Sequence, residues 1–339
     1  MLVIRPVTSS DLEQFFGLAE LTGVGLTNLP KDRELLSKRI RQSEAAFAHI
    51  PDHPHGESYL FVMEDPEAGK IVGASGIMSK VGGYQPFYEY KIETQLFESK
   101  IINVRKEVPI LMLVTEHDGP AEVGSLFLHP DYRKDRNGRF LQSVRFLFMA
   151  ERPQAFEPTV VSEIRGVLDE QGHSPFWDAL GRNFFGIDFA EADRLSVVNK
   201  KFIADLMPRH PIYVPLLPKS AQAVIGQPHP ESARAIKNLE TEGFKFANMV
   251  DIFDAGPVYS CMRDEIRTVA KSRRAGVVEI SDSIEGAGSY MVCTTNGVFR
   301  AVKGLAKETA GGMILSSAVA QALNVSRGDV LRYIEFDVT

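Results

Sequence analysis

One stretch, residues 122–151, constrains the fold more than any other part of this 339-residue chain; it reads EVGSLFLHPDYRKDRNGRFLQSVRFLFMAE. Positions 123–129 are apolar almost throughout, which predicts a central strand buried on both faces. Beyond them Phe140, Leu141, Val144, Leu147 and Phe148 recur at the one-face spacing of a helix packed on a core. Between strand and helix stand Arg133, Lys134, Arg136 and Arg139, grouped around Asn137 and Gly138. A helix N-terminus presents unpaired N–H groups and a partial positive charge, so four cations there make a cradle for phosphates. The turn reads equally as a solvated basic connection, and spacing leaves both readings open.

The charge of the whole chain narrows what such a cradle could serve. A net charge of −6 argues against general nucleic-acid binding, which needs a predominantly basic surface. The basic turn is therefore a local site. Cys261 and Cys293 form neither a CxxC pattern nor a disulfide framework, as expected in a reducing cytoplasm, and no Cys/His spacing suggests a metal. The opening MLVIRPV lacks the apolar core of a signal peptide, and no run reaches the ~20 apolar residues of a membrane span. A soluble, cytoplasmic protein without membrane partners is expected.

Along the chain, 3–7 reads as a strand, followed by a Ser-x-x-Glu capping box at Ser10 and Glu13 and a helix that ends before Gly23 and Gly25. A second helix reaches about Phe47, and the His-rich link 49–56 is a loop without an assigned role. Residues 59–63 and 71–77 form a hairpin across a polar turn. Residues 83–117 add an inserted pair of strands or a wall over a pocket. After the central strand and its helix come a strand at 159–167, a short aromatic helix at 175–185, a helix at 201–207 and an extended segment at 211–215. A helix ending at Gly243 then leads into a strand at 244–253. From residue 275 the character changes to short strands with Gly turns and one helix at 316–323, a small β-barrel-like module.

The segment Arg133-x-x-Arg136-x-Gly138 resembles the pyrophosphate loop of GCN5-related N-acyltransferases, with Arg136 standing where that loop has its middle glycine. The order of strand, two helices and hairpin resembles the first half of that fold. The resemblance implies an α/β (α+β) mixed sheet flanked by helices over residues 1–274, with the β-rich module at 275–339. Two helices, 175–185 and the one before Gly243, compete for the closing position of the fold.

Five further segments, SLFLHPDYRK, EIRGVLDEQGHSPFWDALGRNFF, FIADLMPRHPIYVPLLP, VIGQPHP and DIFDAGP, together resemble the arginine N-succinyltransferase family across nearly the whole chain. That resemblance implies transfer of a succinyl group from succinyl-CoA, as co-substrate, to the α-amine of L-arginine, with no tightly bound cofactor. It places Leu126 and Leu128 beside the pantetheine arm, and Arg133, Asn137, Gly138 and Arg139 at the phosphates. His229, in VIGQPHP, matches the family's catalytic histidine. Pro228 and Pro230 fix its backbone, and the start of a helix favours its neutral imidazole, suited to proton transfer. His129 and His210 are its competitors. Glu163, Asp169 and Glu170 are candidates for the guanidinium and Arg165 for a carboxylate. Without a Ser/His/Asp or Cys/His signature, direct attack by the amine is the simpler chemistry. Another acceptor such as ornithine, or a supporting role in a two-chain enzyme, stands as the alternative. Either a homo-oligomer or a hetero-oligomer with a related chain is expected.

Overall fold

The protein alternates strands and helices in an order that a computed structural model describes for residues 1–22, 29–83 and 86–336. Its first part runs β1 (Val3–Pro6), α1 (Leu12–Glu20), α2 (Arg33–Ala48), β2 (Ser58–Asp65), β3 (Lys70–Met78), β4 (Phe87–Ser99), β5 (Val104–Glu116), β6 (Ala121–Leu128), α3 (Asn137–Glu151) and β7 (Thr159–Glu163). There follow α4 (Pro175–Ala179), α5 (Gly181–Phe185), α6 (Phe189–Val198), α7 (Lys201–Leu206), β8 (Ile212–Tyr213), α8 (Lys219–Val224), α9 (Ala233–Glu242), β9 (Lys245–Asp251), β10 (Pro257–Met262) and α10 (Arg267–Lys271). The last part is β11 (Arg273–Ile280), β12 (Gly288–Thr294), β13 (Ala301–Thr309), β14 (Gly312–Leu315), α11 (Ser317–Leu323) and β15 (Val330–Glu335).

The main sheet has the order β1-β2-β3-β6-β7-β10-β9-β4-β5-β8. Its two faces follow from the period-2 alternation of β2. Tyr59, Phe61 and Met63 join Phe140, Leu141, Val144 and Leu147 of α3 in one core, while Leu60 and Val62 face Phe15, Leu18, Leu36 and Ile40 of α1 and α2 in another. The α3 residues are at most 1% exposed, so each apolar side chain stabilises by about 2 kcal/mol. The expected mixed sheet flanked by helices is thus present. The inserted pair of strands is also present: β4 and β5 pair along their length and join the sheet at Glu89↔Asp251.

Several boundaries differ from expectation. The N-terminal box is built from Thr8 and Asp11, because Arg5 clamps the Asp11 carboxylate at 2.7 and 2.9 Å and turns it toward the Thr8 N–H at 2.8 Å. Gly23 and Gly25 lie outside the described residues. The strand expected through residue 167 stops at Glu163: the Ile164 N–H still reaches the Pro257 carbonyl at 3.1 Å, but Pro257 has no N–H to return, and Gly166 bridges Pro228 instead. The helix expected over 175–185 breaks at Leu180 into α4 and α5, with Gly181 pressed onto the Trp177 ring, where a Cβ would come within 2.3 Å. Helix α6 was not anticipated, although Asp188 accepts the Glu191 N–H at 2.8 Å, a start signal present in the sequence. Helix α9 takes the closing position: Gln142 of α3 donates to the Ala235 carbonyl at 3.1 Å and accepts from Asn238 at 3.1 Å. Helices α4 and α5 belong to a separate core around Trp177 and Phe253.

Strands β12, β15, β11, β14 and β13 close into a barrel through the β12–β13 pairing. The barrel is hydrogen-bonded into the main sheet where Val302 and Ala301 of β13 pair with Val3 and Ile4 of β1. Glu151, at the end of α3 and 7% exposed, accepts from Arg274 of β11 at 3.0 Å and from Arg332 of β15. Among the described residues no helix is long and apolar enough to cross a membrane. Substituting Glu151→Leu leaves Arg332 buried without its carboxylate and is expected to cost about 3 kcal/mol. Urea unfolding should show that loss, and limited proteolysis should cut first within residues 273–335.

Candidate active site

Strands β6 and β7 are parallel neighbours that pair only at Ala121↔Val160 and Glu122↔Val161. Past that point the β6 carbonyls have other partners. The Ser162 hydroxyl donates to the Val123 carbonyl at 3.1 Å, and the Arg145 guanidinium donates to the Gly124 carbonyl at 3.1 Å. Ser125 then takes a left-handed φ of 53°, and the β3–β6 register shifts between Ala74 and Gly76. A bulge of this kind bends the strand and re-aims its edge. The strands therefore fork, leaving a cavity of about 180 Å³ bounded by β6, α3, β7, α6 and α9. Arg145 is 1% exposed and also donates to the Gln142 and Gly76 carbonyls at 3.0 and 3.3 Å. Burial pushes its pKa down to about 9, against the opposing charge of Glu122.

At the outer end of β6 the basic turn opens α3. Arg133 is held inward by its Nε–H on the Leu128 carbonyl at 3.0 Å and lies 5.6 Å from the Phe127 ring. Arg139 lies 5.2 Å from the Phe336 ring. Asp135 and Arg136 both adopt positive φ, 49° and 57°. Arg136 thus adopts the left-handed backbone that glycine takes most readily, at a cost of about 1 kcal/mol. Asn137 is buried; its amide donates to the Tyr132 carbonyl at 3.2 Å, and its oxygen accepts from Lys303 of β13 at 3.2 Å. Lys303 also donates to the Asp135 carbonyl, so the barrel supports the turn. A Cβ at Gly138 would make only ordinary contact with Leu128, at 3.9 Å. Leu126 lines the cavity, while Leu128 lies in the core, 7% exposed.

The turn before α9 brings His229 to the fork. Pro228 bridges Gly166, and the His229 N–H donates to the Arg165 carbonyl at 2.8 Å. The His229 carbonyl accepts from the Ser232 N–H at 2.9 Å. Arg165 and Ser232 both line the cavity, so His229, which is not itself part of that lining, stands beside it and is joined to both through its backbone. Its Nδ1 accepts the Glu231 N–H at 3.2 Å, which leaves Nε2 available to another group. Burial lowers the pKa of the ring, the Arg165 cation lowers it further, and Glu231 opposes both. The competing histidines stand elsewhere: the His129 ring accepts the Asp131 N–H at 3.3 Å in the basic turn, and His210 is exposed beyond α7.

Of the acceptor-site candidates, Glu163 and Arg165 line the cavity. Asp169 and Glu170 sit in an exposed turn, where Asp169 accepts the Gln171 and His173 N–H groups at 2.9 and 2.8 Å. The sequence reading missed Asp193, Asp251 and Asp254, which line the same cavity. The DIFDAGP motif contained two of them. Asp251 accepts the Phe253 and Asp254 N–H groups at 2.7 and 2.8 Å, and Asp254 accepts those of Gly166 and Gly256 at 2.7 and 2.8 Å. Burial and the neighbouring acids raise Asp251 well above the ordinary carboxylate range. Burial, with the charges of Asp254 and Glu163, pushes Asp193 up to about 7.

Residues 2–268 match the family model described as the arginine N-succinyltransferase beta subunit, and residues 273–335 match that described as its C-terminal domain. The chain belongs to the arginine N-succinyltransferase family. It is 44% identical to the arginine N-succinyltransferase of Yersinia pestis (strain Pestoides F), over 98% of this chain and 97% of that one. It is 42% identical to that of Escherichia coli O139:H28, with the same coverage of both chains. The solved structure of arginine/ornithine succinyltransferase subunit AI from Pseudomonas aeruginosa superposes with a TM-score of 0.90 at 37% identity, covering 99% of this chain and 98% of that one. The protein is accordingly an acyltransferase.

Arg145→Met removes the donor that holds the Gly124 and Gly76 carbonyls and leaves both buried without it. The expected loss is about 3 kcal/mol in urea unfolding.

Proposed function

We propose that this enzyme transfers the succinyl group of succinyl-CoA to the α-amine of L-arginine, giving N2-succinylarginine and CoA, the first step of arginine breakdown by the succinyltransferase route. The observation that carries the reading is the fork between β6 and β7 with His229 beside it. The names of the full-length relatives support the choice of acceptor and acyl group.

On this reading the freed edge of β6 takes the pantetheine arm alongside Leu126, with Leu128 supporting the strand from beneath. Arg133, Asn137, Gly138 and Arg139 hold the phosphates at the start of α3. The thioester then reaches the fork, where the amine attacks its carbonyl carbon, the C–S bond breaks and the thiolate leaves with a proton. Direct attack is favoured because burial raises both thiols, Cys261 and Cys293, and so keeps them protonated and poor nucleophiles. His229 handles the proton through Nε2. Residues 1–274 would form the acyl-transfer unit, and 275–339 an accessory unit that steadies the phosphate turn through Lys303. The site would work in the cytoplasm, where succinyl-CoA is made, within an assembly of like or related chains.

A second reading follows from the Pseudomonas aeruginosa structure, whose description names both arginine and ornithine and calls the chain a subunit. Here the chain would accept ornithine, or support a related catalytic chain.

Thiol release from succinyl-CoA by the purified chain, with and without L-arginine, tests the proposal. Arginine-dependent release by the chain alone is expected; release that requires an added related chain supports the subunit reading instead. His229→Ala should lower kcat by about 10²–10⁴-fold while leaving CoA binding intact. Because the working imidazole is neutral and its pKa is lowered, kcat should hold through the ordinary histidine range and fall only as pH drops below about 6.5. An acid limb above that value would count against His229.

A further inference from the structure

Away from the β6 edge the cavity wall becomes acidic. Glu163 ends β7, Asp251 ends β9, Asp193 comes from α6 and Asp254 from the following turn, and all four line the cavity. Two of them have structural work: Asp251 and Asp254 each accept two backbone N–H groups and fix the turn after β9. No such backbone bonds hold the Glu163 or Asp193 carboxylates among the described residues.

Behind this wall lies a fifth acid. Glu89 of β4 is 0% exposed and sits directly across from Asp251 in the β4–β9 pairing. Neither of its carboxylate oxygens has an N–H donor among the described residues, and the carboxyl lies against that of Glu163, where a protonated Glu89 donates to its neighbour. A buried polar group in that condition is costly, more so if charged, which burial ordinarily selects against. Burial and the charge of Glu163 hold its carboxyl well above the usual range, and Lys200, the cation whose field reaches it, acts more weakly than Asp251 does. Arg165 donates to Glu231 at 3.4 Å. Among the described residues no three such side chains converge closely enough to hold a metal ion. Carboxylates spread around a cavity suit a broad, planar cation with several N–H donors, which they can meet edge-on.

We propose that Glu163 and Asp193, backed by Glu89, form the pocket that takes the guanidinium of the acceptor and sets the enzyme's preference for a planar cationic side chain. This rests on the arginine reading above and deepens it. The α-amine is then held at the fork while the far end of the side chain is fixed in the acid wall, so one pocket determines both selectivity and reach.

L-Citrulline has nearly the shape of arginine without its charge, which makes it the discriminating acceptor. Steady-state release of CoA thiol is compared for arginine, citrulline and ornithine, using the wild-type chain, Asp193→Asn and Glu163→Gln. Wild type should favour arginine over citrulline by at least ~100-fold in kcat/KM, since unpaired buried acids reject the neutral analogue. Each variant should raise KM for arginine by about 10–100-fold, shift KM for succinyl-CoA by no more than about twofold, and narrow the arginine-to-citrulline ratio. Unchanged arginine KM and ratio in the folded variants would overturn the assignment. Should neither variant fold, wild-type protein that binds citrulline as tightly as arginine by calorimetry overturns it equally. A wild-type chain that binds arginine in preference to citrulline but releases no CoA would leave this pocket standing and refute the reaction instead.

Discussion

The carbonyl groups of Val123 and Gly124 decide where the two central strands part. In an uninterrupted parallel pair the Val123 carbonyl would accept an N–H group from β7, while the Gly124 carbonyl points the other way, toward Gly76 of β3. Here Ser162 and Arg145 occupy them, and the left-handed Ser125 prevents the pairing from resuming beyond. Everything else at the site depends on that separation. It exposes a strand edge in the middle of a sheet, where an extended ligand can add its own hydrogen bonds, and it opens a cavity between α3 and α9 that would otherwise be filled by packed side chains. A buried guanidinium carries this role well because its planar fork satisfies several carbonyls at once and stays charged at neutral pH even with a lowered pKa.

The site is assembled from segments that respond to different forces. The basic turn is local, written in the succession of His129 to Arg139 and in the positive φ of Asp135 and Arg136. The acid wall is long-range, since Glu89 meets Asp251 only because the inserted hairpin adds β4 beside β9. His229 lies between these extremes: its position comes from two prolines beside it and from one backbone bond to Arg165. Insertion of the hairpin into the sheet thus changed the chemistry of a cavity some distance from the hairpin's own turn.

How much of this could be read from the chain follows the same division. Strand β6, helix α3 and helix α9 were legible because apolar spacing and Gly243 report directly on local geometry. The basic turn was legible from its charge, and His229 through the resemblance of VIGQPHP to a family motif rather than through any physical rule. Of the acid wall only Glu163 was picked out from the sequence, since Glu89, Asp193 and Asp251 are far apart along the chain and each reads alone as a solvated charge. Asp169 and Glu170 drew attention by standing next to Arg165 along the chain, but the turn at Gly166 carries them away from the cavity. The bulge at Ser125 was equally hidden, because serine carries no signal for left-handed backbone there.

The pairing of Val3 and Ile4 with Val302 and Ala301 has a consequence for synthesis. Strand β1 gains its second neighbour only after some three hundred residues have followed it from the ribosome. Until then one edge of β1 stays open, a template for pairing with other nascent chains. A sheet closed by contacts this distant in sequence folds slowly. The barrel therefore acts as a late cover for an edge that stays open while most of the chain is made.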